Sequence, residues 1–200
     1  MKKLLLTGFG PFLKNESNPT KEIAERLDGK TIGGYEVVGR ILPVEFVESG
    51  RVLEEHLDEV FPDAVILLGL ASGRTKVTPE RIAINCDDGR GPDNVGFIPQ
   101  GEKVRVDGPD GLFTTLPIKE MVERLMEAGL PAEISNSAGT YVCNHVMYEA
   151  LYLLAQQERA VPAGFIHVPA DHGLALHHSI ASMSQSDIEK AIRLCIESLA

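Results

Sequence analysis

The chain has 200 residues, 44% of them hydrophobic and 24% charged, which suits one folded domain over residues 1–200 and excludes a disordered chain. Its formal net charge of -10 argues against nucleic acid and anionic membrane surfaces as partners, since both attract clustered Lys and Arg. Cys86, Cys143 and Cys195 are scattered, with no C-x-x-C pair, so neither a disulfide framework nor a zinc ribbon is suggested and a reducing, cytoplasmic setting is expected.

Met1-Lys2-Lys3-Leu4-Leu5-Leu6 superficially resembles a signal peptide, but the apolar run stops at Thr7-Gly8. A first buried strand over 3–7 is the better reading, ended by Gly8-Phe9-Gly10-Pro11. Asn15-Glu16-Ser17 is a glycosylation acceptor without meaning in the absence of a secretory signal. Asn18-Pro19 reads as an N-cap followed by Pro at the first helical position, opening a helix to about Leu27. A strand is expected over 35–44 and a helix over 45–61, with Phe46, Leu53, Leu57 and Val60 as its apolar stripe. The run at 64–68 is apolar throughout, as in a strand buried on both faces.

Residues 81–86 alternate, and 87–111 are rich in Gly, Pro and Asp, with a short strand expected over 103–106. So long an irregular insert is often functional. Helices follow over 117–128 and 141–157, with strands over 133–135 and 164–168. Ser186-Asp187-Ile188-Glu189 reads as a capping box opening the last helix. The alternation predicts a single-domain α/β/α sandwich around a mostly parallel twisted sheet. No stretch reaches the length of a transmembrane helix.

Several motifs fail. Gly8-Phe9-Gly10 lacks the third glycine of a dinucleotide fingerprint, which would fall at Leu13, and Pro11 sits where a helix should open. Gly29-Lys30-Thr31 ends like a P-loop but follows a helix, and Ala24 stands where its leading glycine belongs. His167, His172, His177 and His178 suit no zinc spacing, so no metal is expected.

The segment Asn136-Ser137-Ala138-Gly139-Thr140-Tyr141-Val142-Cys143-Asn144-His145 lies between a strand and a helix. In an open parallel sheet that is where ligands bind. Cys143 would fall in the first helical turn, where unpaired N–H groups and the macrodipole favour a thiolate. From position alone, a buried core cysteine and a nucleophile both stand. His167 ends a strand at the same sheet edge, as base or as core histidine. His145 follows Cys143 by two residues, and such neighbours on a helix do not face each other. Glu80 alone reads as a surface carboxylate. Ser137, in Ser135-Asn136-Ser137-Ala138-Gly139, offers a serine-hydrolase alternative, a nucleophile elbow missing its first glycine. A non-enzymatic small-molecule binding domain is a third reading, though it would have no use for Glu80, Cys143 and His167 together.

Three separated stretches sharpen the choice. Leu5-Leu6-Thr7-Gly8-Phe9-Gly10-Pro11-Phe12, then Gly69-Leu70-Ala71-Ser72-Gly73-Arg74 with Glu80-Arg81-Ile82-Ala83-Ile84-Asn85, then 137–145 with Phe165-Ile166-His167-Val168-Pro169 resemble the type I pyroglutamyl peptidases in order, across residues 3–197. The resemblance implies a cysteine exopeptidase that hydrolyses the bond after an N-terminal pyroglutamyl residue through a thioester, without a cofactor. It implies Glu80, Cys143 and His167 as the catalytic set. It implies Phe9 and Phe12 as aromatics around the lactam ring, with Asn18, Tyr141 and Val142 nearby. Leu70 replaces a frequent glutamine, which leaves main-chain contacts to the lactam. Arg90 matches an arginine near the family's active site. A homo-oligomer, a tetramer, is implied as well.

Overall fold

The computed structural model describes residues 1–12, 17–176 and 178–200. The Asn15 acceptor and His177 lie outside the described residues. The chain runs β1 (Lys2–Phe9), α1 (Pro19–Leu27), β2 (Thr31–Ile32), β3 (Tyr35–Leu42), α2 (Phe46–Val60) and β4 (Ala64–Leu70). Short strands β5 (Thr78–Pro79), β6 (Ile82–Ile84), β7 (Asp87–Asp88), β8 (Gln100–Glu102) and β9 (Gly111–Phe113) follow. Then come α3 (Ile118–Glu127), α4 (Val142–Gln156), β10 (Ala163–Val168), β11 (Ala170–Asp171), α5 (His172–Ala175), β12 (Ser182–Met183) and α6 (Gln185–Glu197).

The main sheet has the order β2-β3-β1-β4-β10-β5. Its four central strands are parallel, while β2 and β5 add antiparallel edges. Strand alternation sends Leu4, Leu6, Ile66, Leu68 and Ile166 to one face, against Ile23, Leu125 and Ile192 of α1, α3 and α6. Leu5, Phe9, Val65, Leu67 and Phe165 go to the other, against Phe46, Leu57 and Val146 of α2 and α4. This is the three-layer α/β arrangement the alternation predicts. At roughly 25 cal/mol per Å2 of apolar surface removed from water, these two clusters are the main drive to fold.

The chain leaves β1 for β3 on one side, then returns across β1 to β4. That reversal opens a crevice at the carboxyl ends of β1 and β4, the place where such sheets bind ligands. Gly8 explains itself here by packing. A Cβ at Gly8 would lie 2.2 Å from the Thr20 carbonyl oxygen, so the glycine lets α1 start against β1.

Three local expectations shift. The last helix is capped by Ser184, whose Oγ accepts from the Asp187 N–H at 3.1 Å, so the box sits two residues before Ser186. The strand expected over 103–106 is instead β8, paired with β7. The strand expected over 133–135 reduces to isolated parallel bridges, Val77 with Ala132 and Glu80 with Ser135. In the two strand cases a nonlocal partner, invisible in a short window, decides which residues pair, whereas the cap is a local choice between Ser184 and Ser186.

The insert is tied down by side chains. Asn144 is fully buried, accepts from the Ile84 N–H and donates to the Ile84 and Cys86 carbonyls. Arg105 forks onto Glu149 of α4 at 2.6–3.0 Å. Asp93 accepts from the N–H of Phe46 at the start of α2, a helix whose own N-cap, Glu45, supplies no side-chain bond.

Candidate active site

Cys143 is the second residue of α4, after the N-cap Tyr141, which makes no side-chain capping bond. The first-turn N–H groups thus have no acceptor from the N-cap side chain and point their partial positive charge at the thiol's end of the helix. The sulfur lies over β4. A Cβ at Gly69 would fall 2.9 Å from Cys143 Sγ and 2.5 Å from the Phe165 ring, so only glycine lets the thiol and that ring share the strand's surface. His167 pairs with Gly69 in the β10–β4 register. By alternation it faces the same side as Phe165, and the two rings lie 4.7 Å apart. Thiol and imidazole thus meet on one face at the carboxyl end of neighbouring strands.

The surface carboxylate read at position 80 is corrected: Glu80 is fully buried. Its N–H donates to the Phe165 carbonyl at 2.9 Å, which carries it in from the antiparallel edge beside β5. His167 Nδ1 donates to Glu80 Oε1 at 2.7 Å, leaving Nε2 with a free lone pair. Burial alone would raise the Glu80 pKa, but the bond and charge of His167, with smaller contributions from the bonds of Ser135 and Arg74, outweigh it and hold the carboxyl below its ordinary range. Burial lowers His167 against the pull of Glu80. Burial pushes the Cys143 thiol up to about 12, with the Glu80 charge adding to it. Burial thus disfavours both the thiolate and the imidazolium at this site.

Cys143 forms part of the wall of a cavity of about 220 Å3 with Phe9, Phe12, Leu70, Tyr141 and Val142. Phe12 meets Tyr141 edge to face at 5.7 Å, and the Tyr141 hydroxyl donates to the Pro92 carbonyl. Asn18 also reaches the cavity, but its amide is engaged: Oδ1 accepts from the Thr20 N–H and hydroxyl, and Nδ2 donates to the Gly10 carbonyl. It shapes the Phe9–Phe12 turn.

Arg90 is exposed and does not line this cavity, which departs from its expected place in the pocket. The cation at the site is Arg74, which the reading of the sequence did not single out, with Nη1 2.7 Å from Glu80 Oε1 and 2.6 Å from Thr78 Oγ1. Ser72, also unforeseen, lines the cavity. Arg74 and Ser72 stand in the Gly69–Arg74 stretch that carries the family resemblance, which was the available signal.

The alternatives fare differently. Ser137 is exposed and its Oγ accepts from the Gly139 N–H, with no histidine bonded to it among the described residues. His172 bonds to Ser182, and among the described residues no three His, Cys, Asp or Glu side chains converge on a metal position.

A thiol at a helix start, an imidazole fixed by a buried carboxylate and an adjoining apolar cavity define the class: a thiol-dependent acyl-transfer hydrolase on an α/β sheet. The family model described as pyroglutamyl peptidase matches residues 2–200, and the chain belongs to that family. It is 56% identical over 196 residues, 98% of each chain, to a pyrrolidone-carboxylate peptidase of Oceanobacillus iheyensis. It is 52% identical to that of Halalkalibacterium halodurans, again over 98% of each. The crystal structure of Bacillus amyloliquefaciens pyroglutamyl peptidase I superposes with a TM-score of 0.97 at 39% identity, covering 100% of this chain and 97% of that one. With membership comes the family's activity, a cysteine-type hydrolase that removes N-terminal pyroglutamyl residues.

Proposed function

We propose that Cys143 is the nucleophile of this hydrolysis, His167 its base and Glu80 the carboxylate that orients the imidazole. His167 Nε2 takes the thiol proton as Sγ attacks the pyroglutamyl carbonyl. First-turn N–H groups of α4 hold the oxyanion, each such donor being worth about 3 kcal/mol. His167 then protonates the leaving amine, a thioester remains on Cys143, and water, deprotonated by the same imidazole, releases pyroglutamate. No metal or organic cofactor enters. The observation that carries the reading is the His167–Glu80 bond of 2.7 Å beside a thiol in the wall of an aromatic cavity.

Phe9, Phe12, Leu70, Tyr141 and Val142 suit a neutral lactam, because no charge has to be desolvated among them. Substrates are pyroglutamyl peptides and proteins, residues 1–200 act as one peptidase domain, and the protein works in the cytoplasm as a homo-oligomer, a tetramer. Among the described residues no helix is long and apolar enough to cross a membrane.

The test compares kcat/KM for pyroglutamyl, glutamyl and prolyl amides of one reporter amine. An open-chain glutamyl group would bury an unpaired ammonium and carboxylate, and a prolyl group a charged ring nitrogen without the lactam carbonyl. Both should lose at least about 100-fold against pyroglutamyl, and Phe9→Ala should narrow the gap. Comparable values for the three amides would show that the cavity does not select a lactam.

A further inference from the structure

The turn carrying the nucleophile and the carboxylate orienting the base come from distant parts of the chain, yet one side chain touches both. Arg74 Nη1 donates to Glu80 Oε1 at 2.7 Å, while Nη2 donates to the Ser137 carbonyl at 3.3 Å. Nη1 also reaches Thr78 Oγ1 at 2.6 Å, and that hydroxyl donates to the His167 carbonyl at 3.4 Å. Glu80 is fully buried, whereas the Arg74 side chain is one-third exposed, so the cation enters from the mouth of the site. A planar fork reaches two acceptors at fixed geometry, which an ammonium cannot do.

We propose that Arg74 is a positioning residue for the hydrolysis: its guanidinium holds the Glu80 carboxylate on His167 and ties that pair to the turn that presents Cys143. The inference rests on the roles given to Glu80, Cys143 and His167. It adds a charge effect to the mechanical one. The charged and titratable groups acting on His167 are Glu80 and Arg74, with Cys143 on the same face of the sheet. Arg74 offsets part of the Glu80 charge, which favours the neutral imidazole that can accept a proton. Without that cation, Glu80 and His167 would both hold protons more tightly, and activity would fail at a higher pH.

The experiment measures kcat, KM and the pH profile of kcat/KM for Arg74→Gln and Arg74→Lys, with a pyroglutamyl amide as substrate and thermal melts as the check on folding. Arg74→Gln should lower kcat roughly 10- to 100-fold with KM nearly unchanged, and should move the acid limb up by about half to one pH unit. Arg74→Lys keeps the charge and loses the fork. Its acid limb should stay in place while kcat falls about fivefold or more. An unmoved acid limb in Arg74→Gln, or a risen KM with kcat intact, would overturn the proposal. So would full activity in Arg74→Lys, which decides the matter even if the glutamine variant does not fold. Cys143→Ser run alongside separates the two levels, since retained activity there removes the underlying roles rather than this inference alone.

Discussion

His167 and His145 each hold a carboxylate on Nδ1, Glu80 at 2.7 Å and Asp87 at 2.8 Å, and both pairs are buried. Their surroundings differ. His167 stands at the carboxyl end of β10, in register with Gly69, on the face where Cys143 Sγ lies. His145 lies behind the nucleophile on α4, edge to face with Phe46, and a Cβ at Gly50 would sit 2.9 Å from its Nε2. Its second nitrogen is packed against α2, leaving no room for a substrate there. In the proposed mechanism the His167 pair moves a proton, while the His145 pair pins β7 and the insert to α4. An imidazole–carboxylate bond is therefore not a catalytic site by itself. What sets the His167 pair apart is its place on the face where the Cys143 thiol lies, and the proposed proton transfer rests on that.

The sharpest way to break this contrast is to remove each ring. His167→Ala should lower kcat by about 10²- to 10⁴-fold and destabilise the fold less than His145→Ala does, because the buried Glu80 carboxylate keeps Arg74 as a partner. His145→Ala should change kcat by less than about tenfold and destabilise the fold by roughly 2–4 kcal/mol, because Asp87 is left buried without its partner. Steady-state rates and urea unfolding of both variants check this, and the reverse ranking would exchange the roles.

A smaller effect sharpens the same comparison. Glu80→Gln keeps the shape and loses the charge that supports the imidazolium, so kcat should fall less than in His167→Ala, by about 10- to 100-fold, at unchanged KM. A loss equal to that of His167→Ala would mean that the carboxylate does more than orient the ring.

Smallest is the pH dependence of stability. Glu80 and His167 both have pKa values lowered by folding, so the unfolded chain binds their protons more tightly. Their contribution is fully present above the unfolded imidazole value of about 6.5 and is lost as pH falls towards the folded values. Chemical denaturation between neutral and mildly acidic pH should show a shallower decline in His167→Ala than in the parent protein. Parallel curves would contradict the lowered His167 pKa.

Much of this was legible in the sequence, for physical reasons. β4 and β10 are buried on both faces, so their apolar runs stand out without knowledge of any partner. Cys143 and His167 sit at a helix start and a strand end, positions a local pattern can locate. Glu80 was legible as part of the site only through resemblance, because its burial depends on antiparallel pairing at a sheet edge. Arg74 was missed for the same reason: its contact with Ser137 spans 63 residues. The segment at 103–106 shows how a short window misplaces boundaries set by partners elsewhere. Arg90, placed at the pocket by resemblance, is exposed outside the cavity wall.

In the proposed mechanism Cys143 carries the pyroglutamyl group between two steps. Acid quenching during turnover of an activated pyroglutamyl ester, followed by peptide mass spectrometry, reads this directly. The expected result is one pyroglutamyl acyl group on the peptide containing Cys143, on the sulfur, removable by hydroxylamine and absent from Cys143→Ser. Turnover at full rate in Cys143→Ser, or a kinetically competent acyl group on Ser137 in the parent protein, would contradict the account.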